Sequence, residues 1–258
     1  MFRHLATCMG TGFVFQIEDE AGDLRLEELT ASAVEILEDA NQRFSLYIDD
    51  SEISRLVSGE LAWEQASFPQ LAVREKVGFW KEETYGFFDA KIGTPEYDPS
   101  GLVKSWATQN AADFLLANGV RKFTINAGGD IFLSPELDSP ILNRVGLSNL
   151  RSVAAEDAGA NLVLDLSGLP FRAVATSGIS ERGEHIWRTD QAAQFVQVSV
   201  AGVDLVEADI WATALVSGGM DAWRVFESAA GDRMRAIATT KNGALFSSPG
   251  FTELLARL

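Results

Sequence analysis

One stretch constrains this chain more than any other: Tyr97 to Phe132, YDPSGLVKSWATQNAADFLLANGVRKFTINAGGDIF. It reads as loop, helix, strand and loop. Asp98-Pro99-Ser100-Gly101 is turn chemistry, because Pro99 fixes φ and Gly101 supplies a position without Cβ. Lys104 opens a helix whose apolar stripe is Ala107, Ala111, Phe114 and Leu115, spaced i, i+4, i+7 and i+8. Gly119 falls where a left-handed C-cap belongs. Phe123 and Ile125 then share one side of a short strand that ends in Asn126-Ala127-Gly128-Gly129-Asp130. Two polar, glycine-bearing loops, each with an acid and exposed backbone N–H groups, therefore flank one helix and one strand.

The two loops at this spacing resemble the central motif of the ApbE family, the FAD:protein FMN transferases, which runs D-L-x-G-I-A-K-G-Y-A, helix, then N-x-G-G-D-I. Asp98, Gly101, Lys104, Ala107, Asn126, Gly128, Gly129, Asp130 and Ile131 match, while Val103 and Ser105 replace a usual Ala and Gly. Further segments extend the resemblance from about residue 9 to residue 219. Met9-Gly10-Thr11 is similar to the family's opening M-G-T, whose Met lines the flavin pocket; a Met at a strand start serves equally well as core. Phe44-Ser45-Leu46-Tyr47 and Ser51 to Leu56 resemble F-S-x-Y and S-E-L-S-R-L. The first implies that Tyr47 packs on the flavin ring; the second reads as a structural capping turn. Thr84 to Asp89 resembles T-D-G-A-F-D, with Gly86, Phe88 and Asp89 kept and Tyr85 and Phe87 departing. A large Phe87 there narrows the pocket for the nucleotide end of FAD. Ala175-Thr176-Ser177-Gly178 matches A-T-S-G, a turn whose hydroxyls and N–H groups serve either a phosphate or the fold alone. His185-Ile186 opens the family's H-I-x-D-P-x-T-G, but Arg188 stands where its Asp falls and Asp190 follows two places later.

Glu207 to Thr213 resembles A-D-A-L-A-T-A. Its spacing alone puts the Asp209 carboxylate and the Thr213 hydroxyl one turn apart on a helix surface, and both are oxygen ligands of the kind Mg²⁺ prefers. The resemblance makes them Mg²⁺ ligands, together with the backbone carbonyl of Gly101. It also implies that Met9, Tyr47, Phe87, Phe88, Asp89, Asp98, Lys104 and Ile186 surround FAD, with Lys104 offsetting phosphate charge and His185 and Asp209 acting in transfer. The implied activity is Mg²⁺-dependent transfer of FMN from FAD to a Thr or Ser hydroxyl of a target flavoprotein, with AMP released. An FAD pyrophosphatase with water as acceptor, or an FAD-binding protein without catalysis, are the alternatives.

Composition narrows the partners. The 258 residues are 47% hydrophobic with 16 Phe and 6 Trp, enough for a sizeable core. A net charge of −16 repels nucleic acid, so no nucleic-acid partner is expected. It also repels a dinucleotide phosphate, which then needs a local lysine or metal; otherwise the acidity serves solubility. One cysteine, Cys8, allows no intrachain disulfide, and with two histidines a Cys/His zinc site is implausible. Leu5-Ala6-Thr7-Cys8 looks faintly like a lipoprotein box, but no apolar signal core precedes it. No run reaches the length of a membrane span, and a cytoplasmic location is expected. The dinucleotide-binding glycine pattern of a Rossmann fold is missing. The expected fold is α+β over residues 1–258 as one domain, with mostly antiparallel sheets and helices packed outside. Its elements include a strand over 8–17, helices from an N-cap at Thr30 to Asn41 and over 68–83, and a helix ended by Gly218-Gly219. An Asn242-Gly243 hairpin turn joins the last two strands.

Overall fold

The computed structural model describes residues 1–90, 97–150, 160–178 and 195–256. In chain order the elements are β1 (Phe2–Cys8), β2 (Thr11–Ile17), α1 (Asp23–Phe44), α2 (Glu52–Ser58), α3 (Phe68–Glu83), α4 (Ser100–Ala117), β3 (Phe123–Ala127), β4 (Asp130–Leu133), β5 (Arg144–Leu150), β6 (Ala160–Asp165), β7 (Ala173–Gly178), β8 (Phe195–Gly202), α5 (Leu205–Ala230), β9 (Met234–Thr240) and β10 (Leu245–Ser247). Eight strands form one sheet in the order β1-β2-β3-β4-β7-β8-β9-β10, and β5 pairs with β6 separately. Every strand pairing among the described residues is antiparallel, so the α+β expectation holds.

The period of two along the strands builds two cores. Phe132, Ala173, Ala175, Ala236 and Ala238 face the helices, and all five helices contribute to that core. Their alternating neighbours Leu133, Val174 and Ile237 face the other way, where β5, β6 and the turn Phe251–Leu254 cover them. The helices therefore lie on one side of the large sheet, and the small sheet lies on the other.

Local chemistry accounts for most boundaries. Ser51 caps α2, its side chain accepting the Ser54 N–H at 3.1 Å, as the capping turn requires. Pro69 occupies the first turn of α3, where its missing N–H costs nothing. Five boundaries differ from the sequence reading. β1 is an edge strand whose alternating residues are only half buried, so its apolar signal is weak. Met9 and Gly10 form the two-residue turn into β2, both with positive φ (49° and 69°), so Met9 is a turn residue rather than a strand start. α1 begins at Asp23, and Thr30 is buried inside it. The charged first turns carry little apolar periodicity, which hides the true start. α4 begins at Ser100, before Lys104, because Asp98 Oδ1 accepts the Ser100 N–H at 2.9 Å. Finally, Gly219 (φ 56°, ψ −134°) kinks α5, which then continues to Ala230. No helix among the described residues is long and apolar enough to cross a membrane.

Candidate active site

Segments far apart in sequence meet where β3 turns into β4. Gly128 and Gly129 make that turn with φ 62° and 104°. Glycine occupies this left-handed geometry without a Cβ penalty. Gly128 N–H donates to the Gly12 carbonyl at 3.1 Å, and a Cβ on Gly128 would stand 2.2 Å from Thr11 Oγ1. The Met9-Gly10-Thr11 segment and the Asn126-to-Asp130 loop are thus in direct contact.

Asp130 follows the turn and is only 1% exposed. Its Oδ1 accepts the Thr176 N–H at 3.0 Å, and its Oδ2 forms an ion pair with Lys104 Nζ from α4. Successive side chains of β7 point to opposite faces. Thr176 pairs its hydroxyl with Ser199 Oγ on β8 at 2.8 Å, while the Ser177 hydroxyl lies 3.0 Å from Thr213 Oγ1 on α5. Asp209 stands one turn before Thr213 on α5. It is 4% exposed, not on an open helix surface as the sequence reading has it. α4, β4, β7 and α5 therefore bring together Lys104, Asp130, Ser177 and Thr213. A small cleft on the small-sheet side of the same strand ends is lined by Gly128, Gly129, Gly146, Ser148, Thr176 and Gln197. Gln197 Nε2 donates to the Ser148 carbonyl at 2.9 Å, tying β8 to β5 across it.

The loop 87–89 is seated by two glycines. The Phe88 ring is buried against Gly101, where a Cβ would be 3.3 Å from Phe88 Cε2. The half-buried Phe87 ring lies against Gly218 of α5, where a Cβ would be 2.2 Å from Phe87 Cδ1. Asp89 pairs with Lys81 Nζ at 2.5 Å. Phe88 thus packs beside the start of α4, which carries Gly101 and Lys104 just after Asp98, and Phe87 packs against α5. Met9 is half-buried at the edge of the helical core. Tyr47 lies in the loop between α1 and α2 and is 93% exposed. His185, Ile186, Arg188 and Asp190 lie outside the described residues.

Asp130 is the participant to which the sequence reading assigns no role, while Ser177, read there as part of a turn, lies in β7. The signal for Asp130 is an acid following two glycines at the start of an apolar strand, DIFL, because a buried carboxylate needs a partner. Two perturbed groups lie at the margins. Burial raises the Glu207 carboxyl in the first turn of α5, opposed by Arg233, whose guanidinium is 2.5 Å away. Burial pushes the Tyr97 hydroxyl up to about 12.

Asp209 stands one turn before Thr213, whose hydroxyl meets that of Ser177, and carboxylate and hydroxyl oxygens are the kind a hard divalent cation takes. Among the described residues no three His, Cys, Asp or Glu side chains cluster. A cation here would need substrate or water oxygens to complete its shell, as Mg²⁺ commonly does.

Solved structures share this architecture. The flavin transferase ApbE from Vibrio cholerae matches with a TM-score of 0.78 at 19% identity, covering 98% of this chain and 99% of that one. The ApbE protein from Thermotoga maritima matches with a TM-score of 0.76 at 17% identity, covering 99% of each chain. The flavinyl transferase ApbE of Pseudomonas stutzeri, apo form, matches with a TM-score of 0.77 at 17% identity, covering 100% of this chain and 97% of that one. At these identities the likeness defines the fold. Comparison with curated proteins gives no match. The ApbE family model matches residues 95–237, more than half of the chain, and the chain belongs to the ApbE family.

Proposed function

We propose that this protein transfers the FMN half of FAD, through its phosphate, to a Thr or Ser hydroxyl of a target flavoprotein and releases AMP. The observation that carries this reading is the junction of Lys104 with Asp130, Ser177 and Thr213, which sets a lysine and a group of hard oxygens at one place in a chain of net charge −16. A pyrophosphate needs both to bind against that field. Membership in the ApbE family and the likeness to structures named flavin transferases support it.

In this reading the chain 1–258 acts as one domain. Met9, Tyr47, Phe87, Phe88, Asp89, Asp98 and Ile186 hold the flavin and nucleotide parts of FAD, and Lys104 orients its phosphates. Asp209, Thr213 and the Gly101 carbonyl would hold Mg²⁺, which supplies charge neutralisation as the phosphoanhydride bond breaks. The acceptor hydroxyl oxygen bonds to the phosphorus of the FMN half, the bond to the AMP oxygen breaks, and the hydroxyl proton passes to His185 as base.

The test is to incubate pure protein with FAD and Mg²⁺, with and without an acceptor flavoprotein, and to assay AMP and flavin fluorescence retained after denaturation. AMP together with covalent flavin, both requiring the acceptor, is the expected result. AMP without an acceptor would replace transfer by FAD hydrolysis. Bound FAD without AMP would leave a binding protein and sink the reading.

A further inference from the structure

Asp130 joins two things that the reaction needs held together. β4 pairs with β7 through Ile131 opposite Val174 and Phe132 opposite Ala173, the Leu133 N–H donates to the Arg172 carbonyl beyond them, and on the Asp130 side the backbone ladder stops. β7 runs on to Gly178, so the Thr176 N–H on this side has no strand opposite it. The Asp130 side chain takes its place through Oδ1, while Oδ2 faces the Lys104 ammonium. The residue after Thr176 is Ser177, whose hydroxyl contacts Thr213. A single carboxylate thus fixes the lysine from α4 and the end of β7 that meets α5. An amide would satisfy the Thr176 N–H equally well but would give the lysine no opposing charge. The ionised acid is therefore needed for the lysine and not for the ladder.

We infer that Asp130 is a positioning residue for Lys104, holding its ammonium at a fixed distance from the Ser177–Thr213 contact so that both act on one pyrophosphate. This rests on the flavin-transfer reading above. The lysine is shared: Asp130 neutralises part of its charge, so the carboxylate weakens the grip on the phosphates while improving their placement. A residue that merely supported the fold would do neither.

Asp130→Asn separates the two effects. FAD binding, followed by calorimetry, should be at least as tight as in the wild type, because one negative charge beside Lys104 is gone. The kcat for flavin transfer should fall on the order of 100-fold, the scale of a misplaced reacting group. Hydrogen exchange on the free protein reads the tether without any ligand: the Thr176 amide stays protected in Asp130→Asn and exchanges faster in Asp130→Ala. Unchanged kcat in Asp130→Asn, or binding and kcat lost in parallel, would overturn the inference, as would a Thr176 amide equally protected in Asp130→Ala. A wild-type protein that binds no FAD defeats the flavin reading instead, and the exchange measurement still decides whether Asp130 holds β7.

Discussion

Tyr97 carries a hydroxyl into the core beside Trp63, with ring centroids 5.4 Å apart, and that oxygen finds no hydrogen-bond partner among the described residues. Leaving a polar group unpaired in the interior costs about 1–3 kcal/mol. Tyr97→Phe should therefore leave stability unchanged or raise it by about 1 kcal/mol at neutral pH. Alkaline pH should separate the two proteins further. Burial lifts the folded-state value from 10.0 to about 12, so the contribution is fully present below pH 10 and is lost as pH rises towards 12. Denaturant melts of the wild type should lose on the order of 2 kcal/mol more than Tyr97→Phe across that window. Parallel loss in both would mean that the hydroxyl is solvated. Asp209 poses the opposite problem, a buried acid at the place proposed for the cation. Asp209→Asn keeps its shape and removes its charge. AMP release should fall on the order of 100- to 1,000-fold, with a melting-temperature change of no more than about 4 °C. Activity persisting in this variant would remove Asp209 from the site.

At the scale of elements, the seat of Phe87 on Gly218 couples the loop before α4 to α5. Helix propensity favours Gly218→Ala by about 1 kcal/mol. Overpacking against Phe87 Cδ1, 2.2 Å from the new Cβ, opposes it by about 1–3 kcal/mol. The clash should win, and Gly218→Ala should destabilise. In the Phe87→Ala background the two contacts closest to the new Cβ are gone and the Ala222 Cβ at 2.8 Å remains, so the penalty should shrink by about 1 kcal/mol or more. Additive effects in the double mutant would show that the two do not touch. The elements themselves were unevenly legible in the sequence. The helix of residues 68–83 and the Asn242-Gly243 turn could be read because Pro, Gly and periodicity agree there. β1 could not, because an edge strand buries too little to show alternation, and the start of α1 is masked by charge. Within the site, the spacing of Asp209 and Thr213 and the glycine turn at 128–129 were visible. That Asp130 would reach across to Lys104 and Thr176 was not, because such contacts depend on strand order, which no local pattern encodes.

For the whole molecule, charge is the dominant long-range property. The net −16 repels an anionic dinucleotide at distances where Lys104 is only one charge among many. The Debye length is about 10 Å at 0.1 M salt and shortens as salt is added. FAD association, followed by stopped-flow fluorescence, should therefore quicken as salt rises from about 0.01 M, the reverse of a basic nucleotide site. An association rate that falls with salt would mean that the local cation governs approach.

The large sheet has a seam. From β1 to β4 and from β7 to β10 the strands pair in ladders three or more residues long, whereas β4 and β7 pair at Ile131–Val174 and Phe132–Ala173, with one more backbone bond from the Leu133 N–H to the Arg172 carbonyl. Lys104 stands on the amino-terminal side of this seam, and Asp209 and Thr213 stand on the carboxy-terminal side. A molecule gripped from both sides is a rivet. Both sides nevertheless share the helical core through the packing of α4 on α5, so the empty protein should melt in one step, with equal van't Hoff and calorimetric enthalpies. Saturation with FAD and Mg²⁺ should raise that single melting temperature, as the substrate ties the two sides where the sheet joins them least.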